Sequence, residues 1–184
     1  MTKEYNIALL PGDGIGPEVI EEALKVLTAI EKISNVKFNY TKGLIGGCSI
    51  DVHGRPVVDE VLEMCSKNNA ILLGAIGDFK YDNVDPSIRP ETALLRLRKE
   101  MGSFANLRPV KVYDELVESS PLKSDKVKGV DIMIVRELVS GVYFGEPRGR
   151  EKDSKGERAF NTMAYYDFEV ERIARVAFEI ARKR

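Results

Sequence analysis

The apolar positions alternate between two periods from the start of the chain. Residues 5–10 (Tyr-Asn-Ile-Ala-Leu-Leu) read as a buried strand, and 11–16 (Pro-Gly-Asp-Gly-Ile-Gly) as a turn. Pro17 stands where a first helical residue tolerates proline, and Val19, Ile20, Ala23, Leu24, Leu27 and Ile30 form one helical stripe. Residues 36–42 alternate as a second strand, 43–54 read as loop, 57–67 as a short helix, and 70–76 as another buried strand. A polar loop over 77–90 leads to Pro90-Glu91, which opens a helix running to about Met101. Strands dominate afterwards, at 104–113 and 130–138 with a polar connector at 123–129. Ser140-Gly141 reads as a turn that folds the chain back as a hairpin through Val142-Tyr143-Phe144. A Gly-, Pro- and charge-rich stretch over 145–156 precedes a further strand at 159–166. Asp167 is the expected N-cap of a last amphipathic helix carrying Val170, Ile173, Ala174, Ala177, Ile180 and Ala181. The pattern is that of an α/β protein. Its break near Met101 divides it into an α/β part, 1–101, and a strand-rich part, 102–184.

Composition narrows the function classes. With 28 Lys and Arg against 29 Asp and Glu, the net charge is -1, without the basic field that nucleic-acid binding needs. No apolar run approaches the ~20 residues of a membrane span. Cys48 and Cys65 are isolated, and the lone His53 cannot anchor a zinc site. A soluble, cytoplasmic, globular protein is the expectation, and composition carries nothing yet about its chemistry. The last helix stops at Arg184 without a closing element, so the chain is as readily a piece of something larger as a whole protein.

Four features bear on chemistry. The turn Gly12-Asp13-Gly14-Ile15-Gly16 offers backbone N–H groups at a helix start, but matches neither G-x-G-x-x-G nor a Walker loop. A tight strand-to-helix turn is its simplest reading. Glu91, Leu94, Leu95 and Arg98 fall at i, i+3, i+4 and i+7, one helical face with two branched aliphatics between a carboxylate and a guanidinium. That face suits a ligand with a branched arm beside a carboxylate, while the plain alternative puts both leucines in the core. Arg108 and Arg136 stand in strands and match carboxylates bidentately, unless neighbours such as Glu100 or Glu137 pair with them. Tyr143, just past the turn, is a half-buried aromatic or, beside arginines, a proton donor.

These segments together resemble a known family. Residues 10–18, Arg89-Pro90-Glu91-Thr92, 96–99, 104–109, Val135-Arg136-Glu137-Leu138 and 142–149 are similar, in order, to the 3-isopropylmalate dehydrogenases among the β-decarboxylating dehydrogenases. The resemblance implies an isopropylmalate/isocitrate dehydrogenase-like fold, a parallel-rich sheet with flanking helices plus part of a second domain carrying a β-hairpin arm. It implies oxidation of 3-isopropylmalate with NAD and Mg²⁺ or Mn²⁺, loss of CO2, and 2-oxo-4-methylpentanoate as product in leucine biosynthesis. Arg98, Arg108 and Arg136 would hold the malate carboxylates, and Leu94 and Leu95 would contact the isopropyl group. Glu91 would sit between substrate and nicotinamide, Ile15 near the nicotinamide, and Tyr143 would protonate the enolate. The family's catalytic lysine, metal-binding aspartates and adenosine loop have no counterpart here, so the chain corresponds to an N-terminal half, and the expectation is little turnover alone. Asp78, Asp82 and Asp85 do not match the metal motif. Family enzymes are homodimers, with the hairpin and the 145–165 arm expected at the interface. Where the family usually has Gly-Gly-Pro-Lys-Trp-Asp, this chain reads Gly77-Asp78-Phe79-Lys80-Tyr81-Asp82, and Val139-Ser140-Gly141 replaces Thr-Gly-Gly. A non-catalytic carboxylate-binding module, or a homoisocitrate, isocitrate or tartrate enzyme, are the alternatives. Those other acids carry polar arms that Leu94 and Leu95 do not suit.

Overall fold

The computed structural model describes residues 2–184, which divide into two compact units between Met101 and Gly102. The first is built on a parallel sheet ordered β2-β1-β3, with β1 at Lys3–Gly12, β2 at Val36–Lys42 and β3 at Ala70–Ala75. Pairing runs Ile7 with Tyr40 on one side and Leu10 with Leu73 on the other. Because side chains alternate along a strand, Ala8 and Leu10 share a face with Ile71 and Leu73. That face carries the core, where Ile45, Val57, Leu62, Cys65, Ala93 and Leu97 close over it. Ile7 and Leu9 are buried on the opposite face, left for helix α1 (Gly16–Ile33), whose Ile20 is also buried. Burial on both faces accounts for the nearly unbroken apolar run of β1.

Three further helices complete this unit: α2 at Gly47–His53, α3 at Asp59–Ser66 and α4 at Pro90–Glu100. Helix α2 corrects the expectation of loop over 43–54. The polar stretch before α4 holds two 3-10 turns, Phe79–Tyr81 and Pro86–Ile88, started by the carboxylates of Asp78 and Asp85 accepting from Lys80 N–H and Ser87 N–H. Both thiols are free, and burial pushes each above its usual range.

The second unit pairs β4 (Ala105–Lys111) with β5 (Asp131–Glu137) in an antiparallel ladder. Between them lie a 3-10 turn, Asp114–Ser119, and the short helix α5, Ser124–Val127, inside the expected connector. Helix α6 (Asp167–Lys183) packs on β5. Its N-cap is Tyr166, whose N–H donates to Glu169, so Asp167 is the first helical residue instead of the cap. The hairpin expected at Ser140-Gly141 is not formed: Gly141–Tyr143 is a 3-10 turn. A hairpin forms later, between β6 (Gly149–Asp153) and β7 (Gly156–Phe160), and β7 ends well short of residue 166. Among the described residues no helix is long and apolar enough to cross a membrane.

Candidate functional site

The glycine-rich turn is a structural clamp. Asp13 is 5% exposed, and its carboxylate accepts from Gly47 N–H at 2.7 Å, Cys48 N–H at 2.7 Å and Gly77 N–H at 3.0 Å. It therefore starts α2 from 34 positions away and ties that helix to the loop after β3. A negative charge suits this helix start. Gly16 keeps the turn narrow, since a Cβ there would stand 2.1 Å from the Pro11 carbonyl. Asp13 is the residue that sequence reading passed over. Its only local signal was a carboxylate among glycines, and its partners are remote in the chain.

The clamp leaves Ile15 outside, 57% exposed, on the wall of an open cleft of about 520 Å³. Gly14, Gly77, Asp78, Phe79, Arg89 and Glu91 are among the other lining residues. The two residues singled out for the nicotinamide, Ile15 and Glu91, thus share one cleft. On α4 the buried stripe is Pro90, Ala93 and Leu97. Leu94, Leu95 and Arg98 are only half-buried and Glu91 is exposed, so the leucine pair does not belong to the core. The plain reading of that face fails within this unit. Arg96, on another side of α4, pairs with Asp59.

In the second unit Arg108 and Arg136 stand on one face of the two-stranded ladder. Arg108 is opposite Ile134 and Asn106 opposite Arg136, so the two guanidiniums are diagonal neighbours with Asn106 between them. Arg108 Nε donates to Asn106 Oδ1 at 2.9 Å. The Arg136 guanidinium lies 5.5 Å from the centre of the Tyr143 ring. Among the described residues neither arginine has a carboxylate partner. Glu137, the neighbour that could have neutralised Arg136, points to the other face and pairs with Arg172 at 3.4 Å. The Glu137 carboxylate also accepts from Val139 N–H and Ser140 N–H, each at 3.0 Å. It thereby holds the turn that carries Tyr143, a positioning role that sequence reading did not find. Gly141 is needed there: its φ is +73°, and a Cβ would meet the Tyr165 hydroxyl at 2.4 Å.

Residues 6–184 match the model of the isocitrate/isopropylmalate dehydrogenase family. The chain belongs to that family. It is 54% identical over 182 residues to the 3-isopropylmalate dehydrogenase of Aquifex aeolicus, covering 99% of this chain and 50% of that protein. The Moorella thermoacetica 3-isopropylmalate dehydrogenase is 53% identical over 181 residues, again 98% of this chain and 50% of the relative. Among solved structures, a β-decarboxylating dehydrogenase of Thermococcus kodakarensis matches with TM-score 0.64 at 33% identity, over 97% of this chain and 46% of that one. An isocitrate dehydrogenase from Methylococcus capsulatus matches with TM-score 0.75 at 25% identity, over 97% and 48%. As an isocitrate/isopropylmalate dehydrogenase chain, it spans about half the length of the curated relatives it matches.

The metal of such enzymes can be tested against the residues present. Among the described residues no group of three or more His, Cys, Asp or Glu side chains is placed to hold an ion. Asp78 and Asp85, the nearest candidates in sequence, are committed to starting their own 3-10 turns.

Proposed function

We propose that the chain is the substrate-gripping portion of a 3-isopropylmalate dehydrogenase, which oxidises and decarboxylates 3-isopropylmalate to 2-oxo-4-methylpentanoate with NAD in leucine biosynthesis. The observation that carries this reading is the pair of guanidiniums, Arg108 and Arg136, on one sheet face without a carboxylate partner among the described residues. Two guanidiniums at that spacing can take an anionic ligand between them, and their planar forks match carboxylates. Arg98 joins them in binding the acid's two carboxylates, and Leu94 and Leu95 cover the isopropyl arm. Tyr143, whose ring Arg136 holds, donates a proton to the carbon left by departing CO2. Ile15 and Glu91 flank the nicotinamide ring, and an apolar wall with one carboxylate suits a flat cationic ring. A dinucleotide held beside Ile15 and Glu91 would supply the hydride acceptor for the substrate's hydroxyl-bearing carbon. Among the described residues none gather a metal, and the roles above belong to this chain's own side chains.

Calorimetric titration of (2R,3S)-3-isopropylmalate into the protein tests the reading. Binding weakened by at least about tenfold in Arg108→Ala and Arg136→Ala is expected, the scale of a charge-assisted pair. Unchanged binding in both variants contradicts it. NAD reduction by this chain with isopropylmalate and Mn²⁺ is expected to be slight, and robust turnover would show that the base and metal site lie among these residues after all. Isocitrate, homoisocitrate and tartrate should give smaller thermal shifts than isopropylmalate, because their polar arms leave the leucine pair uncovered by carbon. The whole enzyme is expected to be a homodimer, and its mass in solution is the check.

A further inference from the structure

Phe79 is 92% exposed, yet it lines the cleft that Ile15 and Glu91 share. Single exposed aliphatics occur on most proteins and mean little. Phe79 differs in how firmly its backbone is held. The Asp78 carboxylate accepts from Lys80 N–H at 2.9 Å, and the Asp78 carbonyl accepts from Tyr81 N–H at 2.9 Å. Asp51 takes the Lys80 ammonium at 2.6 Å and the Tyr81 hydroxyl at 2.8 Å. The Tyr81 ring is buried against Gly47, where a Cβ would come within 1.9 Å of it. Residues 78, 80 and 81 are thus each committed to the protein, and the turn they fix presents the one remaining side chain to the cleft. Because the backbone beneath the ring is already ordered, a partner's contact costs only the rotamer freedom of Phe79 itself.

We propose that Phe79 is a stacking residue of this cleft, its ring covering the face of a planar, electron-poor heteroaromatic ring, the nicotinamide of the bound dinucleotide. The proposal rests on the reading that places the nicotinamide beside Ile15 and Glu91. Charge agrees with it: Asp78, Asp82 and Glu91 line the cleft against Arg89, a surplus of carboxylates that favours a cationic ring. The negative face of a phenyl ring attracts the same kind of partner.

The chain contains no tryptophan, so Phe79→Trp places a single indole at the cleft. Titrating the full chain with nicotinamide mononucleotide is expected to quench that indole saturably, well beyond the collisional quenching of free N-acetyltryptophanamide. Calorimetry should show Phe79→Ala binding the mononucleotide about tenfold more weakly than the parent chain, with an unchanged melting temperature, as befits an exposed side chain. If parent and Phe79→Ala bind equally and the indole responds only as the free one does, stacking is overturned while the cleft assignment survives. If the parent chain does not bind the mononucleotide at all, the cleft assignment fails and the stacking role falls with it.

Discussion

Leu10 on β1 and Ile134 on β5 are both mid-strand aliphatics, yet Leu10 is 0% exposed and Ile134 is 48% exposed. The contrast extends to the units that hold them. In the first, helices cover both faces of the sheet, and eight buried side chains make one contiguous core. In the second, α6 packs on β5, but Leu107, Val110, Ile132 and Ile134 remain exposed, and buried apolar residues are few. Ile15 and Glu91 are held on a cleft whose walls a buried carboxylate ties together. Arg108 and Arg136 stand on a ladder of only two strands, a construction that is marginal in isolation, and Tyr143 in the 3-10 turn beyond it. Internal support is therefore denser in the first unit than in the second.

The largest effect should come from Leu10→Ala, which removes a fully buried side chain and is expected to cost about 3–5 kcal/mol in urea unfolding. Ile134→Ala should cost well under about 1 kcal/mol. Equal costs would erase the contrast between the units. Next, Asp13→Ala should destabilise the first unit by about 2–4 kcal/mol, since it strands the N–H groups of Gly47, Cys48 and Gly77. Hydrogen exchange should then accelerate at those three amides while the β4–β5 amides keep their rates. Glu137→Gln is expected to act more gently, lowering isopropylmalate affinity several-fold through the Tyr143 turn, with rescue absent in Glu137→Ala. The smallest effect concerns acid. Hydrogen bonds from Lys80 and then Tyr81 hold the exposed Asp51 carboxyl below its ordinary 3.8. A lowered folded value stabilises at pH above the unfolded value and is lost as pH falls through the folded one. The small melting difference between the parent and Asp51→Asn should thus be constant from neutral pH to about pH 5 and vanish only in stronger acid.

Legibility followed locality. Strand β2 occupies the residues its alternation indicated, and β1, α1, β3 and α4 lie where period and proline placed them. Helix α2 escaped because Gly-Cys-Ser-Ile-Asp-Val-His has scant apolar periodicity and its start is made by Asp13, far off in the chain. The β6–β7 hairpin escaped for a related reason: Gly-Arg-Glu-Lys-Asp and Gly-Glu-Arg-Ala-Phe are almost wholly exposed, so no buried face imprints a period of two. Meanwhile Ser140-Gly141 looked like a hairpin turn because Gly141 does adopt positive φ, but it serves a 3-10 turn. Spacing placed Glu91, Leu94, Leu95 and Arg98 on one face of α4, whereas the clamp of Asp13 and the Glu137–Arg172 pair join residues no local pattern connects.

The proposed function requires that the protein prefer an acid with a branched apolar arm. Its most direct test is to titrate isopropylmalate and plain malate into the protein and into a Leu94→Ala/Leu95→Ala variant. The parent should bind isopropylmalate about tenfold or more tighter than malate, the scale of burying a few carbons, and the variant should lose most of that preference while keeping its malate affinity. Equal affinity of the parent for both acids, or a preference that survives loss of both leucines, would contradict the account.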